Sequence, residues 1–338
     1  MLKILVEEES ISSKLVKGWC PSLEKPMESG DGLLVRIPIK FGLVSADILE
    51  KIADISAKYG NANLDLSNRG KLQIRGVRPA TYEPLREELA GLGFIKDFMF
   101  NIIASQFDEG SQKFADKLYS ALIAADIALP DKFLIVVDGG GVFPLSGLAC
   151  DLYIPFLPSN KGRGQDEGDI IGSILEKLNA IKKCDKKIAA INSTRIPIGF
   201  ISLDEESGVV IASPEFGEME AWQLAEISGI AEKYGSGEVI FAPFRRVILP
   251  NIMVNNSTVV LSLLADLGFI INEKDPRFNI HACVGSPACS SALRDTRNFA
   301  RSWIKDNPDN TKIVHITGCS KGCAYRGKAD ITMDLSEK

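Results

Sequence analysis

At 338 residues the chain is longer than one ordinary hydrophobic core serves, so two or three lobes are expected. Its 45% hydrophobic and 25% charged residues are those of a soluble globular protein. A formal net charge of -5 excludes an electrostatic hold on nucleic acid over the whole surface, so any anion site must be local.

The N-terminus lacks a signal peptide's layout, and the longest apolar run, 133–149, is interrupted by Asp138 and glycines. A cytoplasmic protein with no membrane partner is expected. The first organised feature is an internal repeat. Residues 41–94 align without a gap on 216–269, an offset of 175 (216 minus 41). Phe41-Gly42 meets Phe216-Gly217, Lys58-Tyr59-Gly60 meets Lys233-Tyr234-Gly235, and LAGLGF meets LADLGF. The first copy reads as a strand over 33–39, a helix over 46–59 closed by Gly60, strands over 63–66 and 71–77, and a helix up to Leu92. That order is a ferredoxin-like half. Two halves about a pseudo-twofold axis would leave a cleft for a large ligand.

Alternation along LSNRGKLQIRGV places Arg69, Lys71, Gln73 and Arg75 on one strand face. Such cations repel one another unless water screens them or an anion joins them, so the face is either solvated or a binding surface. The repeat register carries Arg245 and Arg246 beside the position equivalent to Lys71, and Arg36 and Lys40 fall on the first strand. If these line the cleft, the ligand is a polycarboxylate held by forked guanidinium contacts. A tetrapyrrole carrying acetates and propionates has that size and charge.

Between the copies, a helix is expected over 111–125, a strand at FLIVVDGGG, a polar connection at NKGRGQDEGD and a helix over 169–182. VVDGGG lacks the endings of nucleotide-binding loops and reads as a tight strand-ending turn. Cys150 and Cys184 read as ordinary packed thiols. The fold class expected is α+β, with two ferredoxin-like half-domains (1–94 and 204–271), an inserted α/β lobe (95–203) and a C-terminal iron-sulfur lobe (272–338).

That last lobe carries Cys283 and Cys289 in HACVGSPACS and Cys319 and Cys323 in HITGCSKGCA. Without secretory features, such pairs favour metal over disulfides. The C-x5-C and C-x3-C spacings suit a [4Fe-4S] cluster better than zinc knuckles, with four buried thiols as the plain alternative. Gly285, Gly318 and Gly322 let backbone amides approach the sulfurs. An amphipathic helix is expected after Cys289, with Ala292, Leu293, Thr296, Phe299, Ala300 and Trp303 on one side and its N-terminus facing the cluster. A strand is expected over 312–316. The only two histidines, His281 and His315, flank the cysteines as ligands, proton donors or structural neighbours. No catalytic acid or base can be assigned.

This combination resembles the siroheme-type nitrite and sulfite reductase superfamily from about Gly18 to Asp330. CPSLEKPMESGDGLLVR (Cys20 to Arg36), NRGKLQIRG, LPDKFLIVVDGGG, ACVGSPACSSALRDTR and HITGCSKGCA look most like the precorrin-3B synthase family. The resemblance implies an oxygen-dependent monooxygenase of aerobic cobalamin biosynthesis, hydroxylating the meso carbon of precorrin-3A between rings A and D and closing a γ-lactone. It also implies a [4Fe-4S] cluster, a mononuclear non-haem iron, dioxygen, and an external electron donor, either an NADH-linked reductase or a ferredoxin. Cys323 would face the substrate. The alternative is a siroheme-dependent nitrite or sulfite reductase. Ala324 is followed by Tyr325-Arg326 where the family often has His-Pro, and the family normally continues past the equivalent of Lys338.

Overall fold

Helix α1 (Ala46–Tyr59) forms where Leu49, Ile52, Ala53 and Ser56 recur at helical spacing, and all four are buried. Gly60 ends it, donating its N–H to Ser56. The computed structural model describes residues 19–155, 167–180, 197–325 and 327–336. Cys184 and most of the polar connection over 160–169 lie outside the described residues. Among the described residues chain contacts define two compact units, one of 19–20 with 98–197 and one of 21–97 with 198–336.

The first half contributes β1 (Met27–Ser29), β2 (Gly32–Arg36), β3 (Leu43–Ser45), α1, β4 (Asn63–Leu66), β5 (Leu72–Val77) and α2 (Pro79–Gly91). In the unit starting at Phe98, β6 (Asn101–Ala104), β7 (Leu134–Asp138) and β8 (Leu152–Pro155) form a parallel sheet with helices α3 (Glu109–Ala124) and α4 (Glu167–Ala180). Helix α3 starts two residues before the expected Ser111 because Asp108 caps it, accepting the Ser111 N–H. At the end of β7, Asp138 accepts from Ser105, Gly140, Leu145 and Tyr153, so VVDGGG is a turn organised by its own aspartate.

The second half contributes β9 (Gly199–Ser202), β10 (Ser207–Ala212), β11 (Glu218–Glu220), α5 (Ala221–Tyr234), β12 (Glu238–Ala242), β13 (Arg246–Met253) and α6 (Ser257–Asp266). β9, which lies within the stretch expected as the inserted lobe, instead pairs antiparallel with β10. Helices α1 and α5 repeat at the same offset, and Leu85 and Leu89 of α2 correspond to Val260 and Leu264 of α6, all buried. The halves exchange strands. β11 adds to the first sheet, order β1-β2-β5-β4-β11, and β3 adds to the second, order β3-β12-β13-β10-β9. A Cβ on Gly42 would overlap the Phe241 carbonyl, and one on Gly217 the equivalent Leu66 carbonyl; both glycines have positive φ. One continuous core runs through both halves, including Val35, Ile52, Leu64 and Ile74 from one and Leu224, Ile227, Val239 and Phe241 from the other.

The cysteine lobe belongs to the same unit as the two halves. It has parallel strands β14 (Ile280–Ala282), β15 (Val314–Thr317) and β16 (Ile331–Asp334), with α7 (Thr296–Asp306) crossing from β14 to β15. Its core is small: Ile280, Ala282, Ala300, Val314 and Ile316, completed by Phe216 of the second half. Among the described residues, no helix is long and apolar enough to cross a membrane.

Candidate cluster and anion site

Parallel pairing explains how two distant cysteine pairs meet. β14 and β15 are neighbours, with Ala282 opposite Ile316, so the chain leaves both strands at the same end. Cys283 follows β14 and Gly318-Cys319 follows β15; Cys283 N donates to Ile316 O (3.1 Å). The Gly318 N–H donates to Cys283 Sγ at 3.3 Å, and Thr296 Oγ1 lies 3.4 Å from that sulfur while donating to the Cys283 carbonyl (2.6 Å). Cys289 N closes its loop on Gly285 O (2.7 Å), and Gly322 N closes the other on Cys319 O (3.3 Å). Gly285 and Gly322 have positive φ, and a Cβ on Gly285 would meet Thr296 N at 2.5 Å.

The four sulfurs share one electrostatic neighbourhood. A hydrogen bond with Cys323, aided by Thr296, Gly318 and Gly285, brings Cys283 down to about 5. The Cys323 thiol is pushed up by the same bond to Cys283 and by the charges of Cys319 and Cys289. All four are free of disulfides. Among the described residues, no three His, Cys, Asp or Glu side chains surround one ion-sized point. A cubane sets its thiolates round a larger body and accepts amide hydrogen bonds at sulfur, which this donor set offers. His281 and His315 pair across β14 and β15, and His281 stacks on Tyr325 at 4.3 Å. Burial, Arg245, Arg246 and His315 lower His281 to about 3, so it is a neutral ring at neutral pH.

Helix α7 departs from the expectation. It begins at Thr296, because the Asp295 side chain caps the Asn298 N–H and Thr296 is tied to Cys283. Residues 290–295 form turns instead, and Leu293 and Phe299 are exposed where an apolar face was expected to bury them.

The cations gather in two groups. Burial and the charges of Arg36 and Arg69 lower Lys71 to about 8, and Gln73 pairs with Arg36 across β2 and β5; with its amide turned over, the Gln73 oxygen accepts from that guanidinium at 3.1 Å. On the adjoining loop, burial lowers Arg245 and Arg246 to about 10 each, with Arg297 adding to the first and Arg245 to the second. Their Nε atoms are buried without a hydrogen-bond partner among the described residues. Arg245 also has φ of 60°, in the place where the first copy has Gly70 at 68°. The two loops touch: Phe244 N donates to Asn68 O at 2.8 Å. The charges of Cys283 and Cys323 act on Arg245, which sets this cationic patch beside the sulfurs.

Arg75 does not join them. Its guanidinium is taken up by Asp31 (2.8 Å), Asp65 (2.7 Å), Ser29 (3.1 Å) and the Ala288 carbonyl (2.6 Å). Alternation placed it on the right face, but carboxylates from β4 and the β1–β2 turn claim it first. From there an alternating chain of charge runs Asp31, Arg75, Asp65, Arg297, Glu218, Arg301, Glu215, tying both halves to α7. Sequence reading missed this chain. A signal existed: the second copy has Ile240, Ile248 and Pro250 where the first has Asp65, Gln73 and Arg75.

In its duplicated halves the chain is similar to the nitrite and sulfite reductases. Residues 25–92 match the nitrite/sulfite reductase ferredoxin-like half domain. Within that class the particular likeness is to precorrin-3B synthase of a Sinorhizobium species, 27% identical with 94% of this chain and 80% of the relative covered. The assimilatory ferredoxin-dependent nitrite reductase of Haloferax mediterranei is 29% identical over 34% of this chain and 21% of its own length. In fold, the chain is similar to the Mycobacterium tuberculosis NirA protein, with TM-score 0.59, 16% identity, and 88% of this chain and 70% of that one covered.

Proposed function

We propose that the chain is a precorrin-3B synthase-like monooxygenase that takes precorrin-3A, dioxygen and two external electrons. The observation that carries this is the pair of buried arginine Nε atoms without a hydrogen-bond partner among the described residues, of which Arg245 feels the charges of Cys283 and Cys323. Buried guanidinium N–H groups left without an acceptor are costly alone and suit a ligand bearing several carboxylates. Arg36, Arg69, Lys71, Gln73, Arg245 and Arg246 would hold the macrocycle's carboxylates, while Cys283, Cys289, Cys319 and Cys323 would hold a [4Fe-4S] cluster. When bound, the cluster supplies single electrons. The likeness to precorrin-3B synthase over most of the chain supports the substrate.

In the balanced reaction one oxygen atom enters the substrate as hydroxyl, the other leaves as water, and the donor gives two electrons with two protons. The resemblance also implies a mononuclear non-haem iron, for which no three His, Cys, Asp or Glu side chains gather among the described residues. His281, neutral and stacked on Tyr325, offers the patch a flat, uncharged edge next to the arginines.

A siroheme-dependent nitrite or sulfite reductase is the second reading, favoured by the matched half domain at 25–92. One experiment separates the two. Protein purified without oxygen is incubated with precorrin-3A, reductant and labelled dioxygen, and its spectrum recorded. Label in a hydroxylated product with no Soret band is expected. A Soret band with nitrite or sulfite turnover and no label would overturn the monooxygenase reading.

A further inference from the structure

The carbonyl of Ala288 accepts three hydrogen bonds, from Ser29 Oγ (2.6 Å), Gly30 N (3.1 Å) and Arg75 Nη2 (2.6 Å). One more donor than a carbonyl has lone pairs is an unusual concentration at a peptide whose other side is the Cys289 N–H. That N–H is itself fixed on Gly285 O at 2.7 Å. A Cβ on Gly30 would overlap the Pro287 carbonyl, so the hairpin tip lies flush against the loop. Arg75 in turn is gripped by Asp31 of the same tip and by Asp65. Nothing in the assigned anion patch needs Ser29, Gly30 or Asp31.

We propose that the β1–β2 tip, Ser29-Gly30-Asp31, acts with Arg75 as a positioning clamp that sets the Cys289 loop through the Ala288 carbonyl. The clamp gives a physical role to the MESGDGLLVR part of the N-terminal block, which lies far in sequence from any cysteine of the cluster lobe. It uses Arg75 as a positioning residue rather than a substrate contact. Its relevance to a cluster rests on the proposed ligand role of Cys289.

The test uses the full chain with Ser29→Ala and Ser29→Thr, purified without oxygen. Amide hydrogen exchange is followed over 285–292, together with iron and sulfide content and the electron paramagnetic resonance of the reduced protein. Loss of one hydrogen bond is expected to speed exchange of the Cys289 loop about fivefold in Ser29→Ala. Exchange over the core strand β13 should stay the same, and Ser29→Thr should behave as wild type. The reduced-state spectrum should change in Ser29→Ala and return in Ser29→Thr, which a general loss of stability would not produce. Unchanged exchange at 285–292, or equal acceleration throughout the unit, overturns the clamp. Wild-type protein lacking iron and sulfide overturns the cluster reading instead, and the exchange comparison on that same protein still decides the clamp.

Discussion

Lys71 stands near Arg36 and Arg69, and burial with those two charges brings its ammonium down to about 8. Between that value and 10.5 the unfolded chain binds a proton that the folded chain does not, so stability of the ligand-free protein rises with pH across this window. Binding runs the other way. An anionic ligand needs the charged ammonium, so affinity for a carboxylated tetrapyrrole should fall as pH rises above about 8. Dissociation constants measured from pH 7 to 9, below the range of Arg245 and Arg246, should show that decline in wild type and lose it in Lys71→Arg, whose guanidinium stays charged there. Arg245→Ala should weaken binding by about ten- to a hundredfold, the range for a charged hydrogen bond, leaving the cluster spectrum intact. Equal affinity in equilibrium titrations would remove Arg245 from the site. Asp65 titrates oppositely: burial alone would raise its carboxyl, but Arg297 and Arg75 reverse this and hold it below the usual range. Its stabilisation is present above the ordinary carboxylate range and is lost as pH falls through the lowered value. Asp65→Asn leaves two buried guanidinium groups short of charge, and should cost about 3–5 kcal/mol in denaturant unfolding.

Among the elements, the long helices were legible in the sequence because their apolar spacing is strong: 46–59 matches α1 at both ends. The exchange of β3 and β11 was not, because three-residue strands carry no periodicity and their partners lie in the other copy. Helix α7 was read too long because its start is set by the Asp295 cap and by the Thr296 bond to Cys283, a tertiary contact. The spacing of the cysteines was visible in the sequence, but that the two pairs follow neighbouring parallel strands was not, nor was the fate of Arg75: alternation gives a face but no partner. The strand exchange has its own consequence. Gly42→Ala places a side chain at positive φ against the Phe241 carbonyl, and should destabilise the repeat core by more than about 2 kcal/mol. An unchanged melting transition would mean that the exchanged strand can shift to accommodate a Cβ.

At the scale of the molecule, one unit combines the duplicated halves, their shared core and the cysteine lobe, joined by Phe216 and by the alternating charges from Asp31 to Glu215. The ion chain draws on both copies, which explains why a repeat built from near-equivalent helices departs from symmetry at Asp65, Gln73 and Arg75. The proposed chemistry requires the four sulfurs to take up one iron-sulfur cubane next to the arginines. Iron and acid-labile sulfide per chain, measured on oxygen-free wild type and Cys289→Ser, test this most directly. About four of each in wild type, with both falling together and the brown colour lost in Cys289→Ser, is the result expected of a cubane. A wild-type chain without sulfide, or a variant whose iron and sulfide are unchanged, would contradict it.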